Sequence, residues 1–184
     1  MILPIYTYGL PVLRKEAEEV PENFPELPQL VQDMFDTLDK SEGVGLAAPQ
    51  IGKSLRLIVV NLDPLGDDVP EYKGFRHAYV NPQILEYGPE QDSYEEGCLS
   101  LPGITESVKR PTSVLLAWED TDGTEHEEWI KGFHARVIQH ECDHLDGKVF
   151  TDRLSPLRKQ FVKKKLTTLA KGRVSCNYKV KTPR

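Results

Sequence analysis

Residues 138–147, IQHECDHLDG, set two histidines four apart with a glutamate directly after the first. On a helix, His140 and His144 leave from one face a turn apart, so both imidazoles can reach a single metal ion. Glu141 lies about 100° further round and can act on water at that ion rather than on the ion itself. Cys142 points about 200° away from His140 and reads as a packing residue. A helix over about 133–146 follows, with Gly147 as its stop. The rest of the chain must supply a third ligand and cover this helix.

Upstream, SVLLAWEDTDGTEHEEWIKG (113–132) reads as a β-hairpin turning at Asp122-Gly123. LRLIVVNL (55–62) is an apolar, β-branched run expected as a buried strand. DPLGDDVPEYKGFRH (63–77) has the composition of an exposed loop and is expected at the mouth of the cleft. AYVNPQILEYG (78–88) reads as extended chain interrupted at Asn81-Pro82. In PELPQLVQDMFDTLDKSEG (25–43), Leu27, Leu30, Val31, Met34, Phe35 and Leu38 form one helical stripe, with Asn23 as cap and Gly43 as stop. Downstream, Ser155-Pro156 opens a last helix whose apolar face is Leu157, Phe161, Leu166 and Leu169. This order predicts an α+β fold: mostly antiparallel sheets around a central metal-binding helix, with N-terminal and C-terminal helices beside them.

The 184 residues fit one domain, 1–184. No apolar run approaches the roughly 20 residues that span a bilayer, and the N-terminus lacks a basic, then apolar leader. A cytoplasmic protein, or a mature form already stripped of any targeting segment, is expected. Three cysteines, Cys98, Cys142 and Cys176, imply reduced thiols rather than a disulfide framework. Charge is divided unevenly. All 29 acidic side chains fall within the first 152 residues, with twelve basic ones, a balance of −17, whereas the segment 153–184 carries eleven Lys and Arg. A basic C-terminal helix and tail of this kind suits a polyanionic partner; a solvated amphipathic helix is the alternative.

Downstream only Asp146 and Asp152 could serve as third ligand, and both are poorly placed: Asp146 is close to His144 and Asp152 sits where the chain leaves the helix. The pattern H-E-x-x-H-x-x-G-x-x-H holds as far as Gly147 and then meets Phe150, which has no donor atom. A glutamate ligand some twenty residues on is also excluded, because none occurs after Glu141. Upstream, YEEGCLSLPG (94–103) offers Cys98 beside Gly97. A thiolate with two imidazoles is an acceptable catalytic set, leaving a fourth position for water. A further segment, SEGVGLAAPQIG (41–52), has so little side-chain bulk that its backbone must lie against a ligand or another strand.

GVGLAAPQ, EGCLS and HECDH, in that order, resemble the three signature motifs of the peptide deformylase family, over residues 43–144. The resemblance implies hydrolytic removal of the formyl group from the N-terminal formylmethionine of nascent bacterial polypeptides. It makes Cys98, His140 and His144 the metal ligands and Glu141 the general acid/base. Gln50 and the Leu99 amide become the oxyanion donors. Val44, Gly45, Glu96 and Gly97 line the path of a substrate added as an extended strand. Val137 and Ile138 are expected as walls of the methionine pocket. The implied metal is ferrous iron, which zinc, nickel or cobalt can replace, and the ribosome is the implied partner of the basic tail. Where some relatives have arginine seven residues after the cysteine, this chain has Thr105. Arg110 is expected to brace Glu96. A metallopeptidase on the same helix and a non-catalytic metal-binding module are the competing readings.

Overall fold

A computed structural model describes residues 1–184. In chain order the elements are β1 (Ile5–Tyr6), α1 (Leu27–Ser41), β2 (Gly45–Ala47), β3 (Leu57–Asn61), β4 (Arg76–Tyr87), β5 (Gln91–Gly97), β6 (Thr105–Pro111), β7 (Ser113–Glu119), β8 (Glu125–Lys131), α2 (Gly132–Leu145), α3 (Pro156–Ala170) and β9 (Val180–Lys181). The fold is α+β. Five strands form an antiparallel sheet in the order β2-β3-β4-β7-β8, β5 and β6 pair as a separate antiparallel hairpin, and β1 pairs with β9 in parallel.

The central helix is almost entirely enclosed: Ala135 through Leu145 are all buried. Val137, Ile138, Cys142 and Leu145 pack with Ile58, Val60, Leu116 and Trp118 from one face of the large sheet. The other face of β3, with Leu57 and Val59, packs on the apolar stripe of α1. The sheet is therefore a middle layer between α1 and α2, which explains why LIVV (57–60) has no polar position. Gly147, at φ 73°, ends the central helix as expected; a Cβ there would lie 2.7 Å from the Arg14 carbonyl oxygen.

Three expectations are corrected. Helix α1 starts after Glu26 and ends at Glu42, not between Asn23 and Gly43; Glu42 itself takes the left-handed conformation (φ 58°) and its N–H closes on the Leu38 and Asp39 carbonyls. Gly43 has another use, since a Cβ there would press to 3.0 Å on both Leu38 and Leu99. Asn81-Pro82 does not interrupt β4. Asn81 (φ 48°) forms a bulge between the pairs Val80–Glu119 and Gln83–Ala117, where the missing N–H of Pro82 costs no ladder bond. On α3, Ser155 caps the helix as expected, its hydroxyl accepting from the Arg158 N–H. The apolar face is half as expected: Leu169 is buried and Leu166 packs against the core, but Leu157 and Phe161 are 64% and 63% exposed and Val162 is buried in their stead. Phe161 is covered instead by the Arg158 guanidinium, 5.0 Å above its ring.

Candidate metal centre and cleft

The three sequence motifs converge. Cys98 follows the last residue of β5, Gln50 sits in a short helical turn after β2, and His140, Glu141 and His144 face them from α2. Gly45 makes this approach possible, because a Cβ there would lie 2.9 Å from both Glu141 Oε1 and Val137 Cγ1. The low-bulk segment thus serves to bring an open strand edge against the central helix.

The donor atoms of Cys98, His140 and His144 all lie within 4.8 Å of one another. Cys98 Sγ is 3.3 Å from His144 Nε2. Tetrahedral coordination with metal–sulfur and metal–nitrogen lengths of about 2.3 and 2.1 Å calls for a separation of about 3.5 Å, so the group fits a metal ion. His140 Nδ1–H donates to Glu96 Oε1 at 2.9 Å, which fixes its tautomer and turns Nε2 inward. His144 has no such brace. Its Nδ1 is buried without a partner, and it is held by packing, with burial pushing its pKa well below the ordinary histidine value.

Glu96 is the hub of a buried charge network. Arg110 grips it through Nε and Nη2 at 2.7 and 3.0 Å, and Arg136 Nη1 donates to it at 2.6 Å. Arg110 and Arg153 also hold Asp143, at 2.9 and 2.6 Å. Burial alone would raise the Glu96 pKa, but its hydrogen bonds with His140 and Arg110 outweigh this and bring it down to about 2. Glu96 borders the cleft, as expected, yet its carboxylate is turned to the imidazole and the guanidinium groups. The Arg110 brace is present and is buried, not exposed. Arg136 and Asp143 escaped the sequence reading. They lie four residues before and three after His140, on its side of the helix, and that spacing was the available signal.

Glu141 behaves differently. Burial raises its pKa to about 7, and its Oε2 has no hydrogen-bond partner. Gln50 is fixed by accepting from the Ala47 N–H at 2.9 Å, while its Nε2 points toward Ser100 Oγ (3.2 Å) and Cys98 Sγ (3.5 Å). The Leu99 N–H donates to no protein group.

These groups stand on a cleft of about 480 Å³, within the usual range for ligand pockets. Val44, Gly45, Glu96, Gly97 and Val137 line it. Ile138, expected as a second wall, does not: it is fully buried in the sheet-facing core, because it sits about 100° round the helix from Val137. The loop 63–77 does not reach the cleft either. Its Tyr72 and Phe75 pack over the start of α2, and Leu65 packs against the sheet-facing core. The C-terminal tail, expected as a basic arm for a polyanionic partner and not as part of the cleft, supplies Ser175, Cys176 and Tyr178 to the lining.

A carboxyl able to exchange its proton near neutrality, beside a cation site opening onto a cleft, suits reactions in which water is activated; this is a metal-dependent hydrolase. Residues 2–160 match the family model described as polypeptide deformylase. The chain is 41% identical to the peptide deformylase of Christiangramia forsetii, covering all of this chain and 97% of that one. A crystal structure of peptide deformylase from Plasmodium falciparum superposes with a TM-score of 0.82 at 38% identity, over 91% of this chain and 95% of that one. A Met-Ala-Ser-bound class I type b peptide deformylase from Acinetobacter baumannii superposes at 0.76 and 36% identity, over 84% and 99%. The chain belongs to the polypeptide deformylase family.

Proposed function

We propose that this protein hydrolyses the N-terminal formamide of formylmethionyl polypeptides through the site just described, releasing formate and a free N-terminal methionine. Glu141 carries the reading: a buried carboxyl with a pKa near 7 and one free oxygen, beside three side chains able to hold a cation. Cys98, His140 and His144 would be the ligands. When bound there, a divalent cation supplies Lewis acidity, polarising the formyl carbonyl and making water more acidic.

The remaining steps belong to the chain's own groups. Glu141 takes the proton of the attacking water and delivers it to the departing amine. The Leu99 N–H and Gln50 Nε2 receive the negative charge developing on the formyl oxygen; one such donor is worth on the order of 3 kcal/mol. β2 and β5 each have a partner on one side only, and both border the cleft, so an extended peptide has open backbone edges to pair with. The Met-Ala-Ser in the Acinetobacter baumannii relative is what such a substrate leaves behind. Val137 forms part of the methionine wall.

We assign ferrous iron, with zinc, nickel or cobalt able to replace it; a thiolate ligand suits these ions and leaves the centre prone to oxidation. The basic segment 153–184 would contact the ribosome, in a bacterial cytoplasm where formylated chains emerge. No helix is long and apolar enough to cross a membrane.

Formate release from formyl-Met-Ala, with acetyl-Met-Ala and internal peptide bonds left intact, is the expected result. Cleavage of internal bonds would favour a metallopeptidase instead. Glu141→Gln should keep its metal and lose turnover by about 10³-fold, whereas full turnover would strip Glu141 of its role. Metal analysis after anaerobic purification tests the iron. Charge reversal at Lys163, Lys164 and Lys165, which are exposed on α3, should abolish co-sedimentation with ribosomes; unchanged co-sedimentation would refute that partner.

A further inference from the structure

The chain beyond α3 carries no strong helix or strand pattern and lies outside the residues matched to the family, yet it returns to the cleft. Its anchor is the parallel pairing of β9 with β1. The Ile5 N–H donates to the Lys179 carbonyl at 2.9 Å and the Thr7 N–H to that of Lys181 at 3.0 Å. Just before this anchor, the Tyr178 hydroxyl donates to the Leu99 carbonyl at 2.7 Å.

The segment 98–101 joins the metal-site cysteine to the rest of the chain, and it belongs to no strand. Three hydrogen bonds hold its carbonyls in place of a ladder, one local and two from distant parts of the chain. Cys98 O accepts from the Leu101 N–H (3.0 Å), Ser100 O from the Tyr8 N–H (2.8 Å), and Leu99 O from Tyr178. Only the last comes from a side chain, and that side chain itself lines the cleft. The Leu99 N–H belongs to the peptide just before that carbonyl, across the Leu99 Cα, and it donates to no protein group, so it is free to bind a developing charge.

Building on the deformylase reading above, we infer that Tyr178 is a positioning residue for the reaction: the chain's end, strapped to its beginning, holds the Leu99 carbonyl and thereby fixes the Leu99 backbone so that the N–H on the other side of its Cα points at the oxyanion. An oxyanion donor is effective only if its direction is fixed before the charge forms, so loosening it weakens the transition state more than substrate binding.

Tyr178→Phe removes the hydroxyl and keeps the ring. The expected result with formyl-Met-Ala is a kcat about tenfold lower, a KM within twofold of the parent, and an unchanged thermal midpoint. The amides of Leu101 and Tyr8 should exchange with solvent severalfold faster. Lys179→Ala, an exposed neighbour, should match the parent in all four readings. An unchanged kcat overturns the inference, and so does a raised KM at unchanged kcat, which would make Tyr178 a substrate contact. If the parent releases no formate, the deformylase reading fails by itself. The exchange rates then decide, because unaltered exchange at Leu101 shows that Tyr178 does not hold this segment.

Discussion

Helix α2 carries three histidines, and its two halves treat them in opposite ways. In the first turn, His134 meets Phe75 edge-on at 4.7 Å between ring centroids and shares a 2.8 Å hydrogen bond with the Tyr79 hydroxyl. Burial lowers its pKa to about 4, so it is neutral packing material. Two turns later His140 and His144 are more deeply buried, yet the polar atoms around them are left open. His144 Nδ1 and Glu141 Oε2 lack partners, and a cysteine sulfur lies within 3.3 Å of an imidazole nitrogen. Buried polar groups in a finished core find partners. A cluster that leaves them out, at the floor of a cleft, has donor atoms that could hold a metal ion, and the contrast separates the histidines by physics where the sequence shows only their spacing.

The largest effect should come from removing a ligand. His144→Ala is expected to abolish stoichiometric metal binding and lower formate release by about 10³-fold or more, equivalent to about 4 kcal/mol of barrier. His134→Gln should leave both nearly intact. Metal analysis beside a formate assay on the two variants measures this. A fully loaded H144A protein would break the comparison at its root.

Next in size is the network behind His140. Arg110→Met removes the guanidinium that bridges Glu96 and Asp143, leaving each buried carboxylate with a single arginine, Arg136 and Arg153 respectively. Loss of one partner from a buried pair costs about 3–5 kcal/mol when the charge is left alone, and the remaining arginines put R110M at the lower end of that range, about 3 kcal/mol. Because Glu96 orients His140, metal affinity should also fall about tenfold or more. Urea unfolding and competition with a chelating dye report the two effects. The half-exposed pair Arg76–Asp39 provides the contrast: Arg76→Ala should cost no more than about 1 kcal/mol. Equal losses in R110M and R76A would show that burial does not distinguish the two pairs.

How much of this was legible in the sequence depends on the range of the interactions. The central helix, the turn at Asp122-Gly123 and the Ser155 cap rest on neighbours within a few residues, and they formed where their residues pointed. The motif segments were readable because Gly45, Cys98 and the two histidines are each unusual in context. The Glu96 hub was only half legible: Arg110 was expected to brace Glu96, but Arg136 and Asp143 reach the network by tertiary packing. On α3, Leu157 and Phe161 looked like core, yet only a narrow strip of that helix meets the body. Glu42 takes the left-handed turn expected of Gly43, since Gly43 is needed for close packing on Leu38 and Leu99. The β1–β9 pair joins the chain's two ends through two residues each, too short for any periodic signal.

The smallest expected effect tests the packing half of the helix. His134 titrates near 4 in the folded protein, against about 6.5 when exposed. Between those values the unfolded chain binds a proton that the folded chain refuses, so stability is full above pH 6.5 and declines as pH falls toward 4. From pH 7 to 5 this one group should remove about 2 kcal/mol, at about 1.4 kcal/mol per pH unit below 6.5. His134→Gln lacks the titration, so its unfolding free energy should fall by that much less over the same interval, whatever it loses at pH 7 from the Tyr79 hydrogen bond. Taking the difference between the two proteins cancels the carboxylates they share. Parallel curves would mean that His134 accepts its proton in place, and the first turn of α2 would then be as open to charge as the site two turns below it.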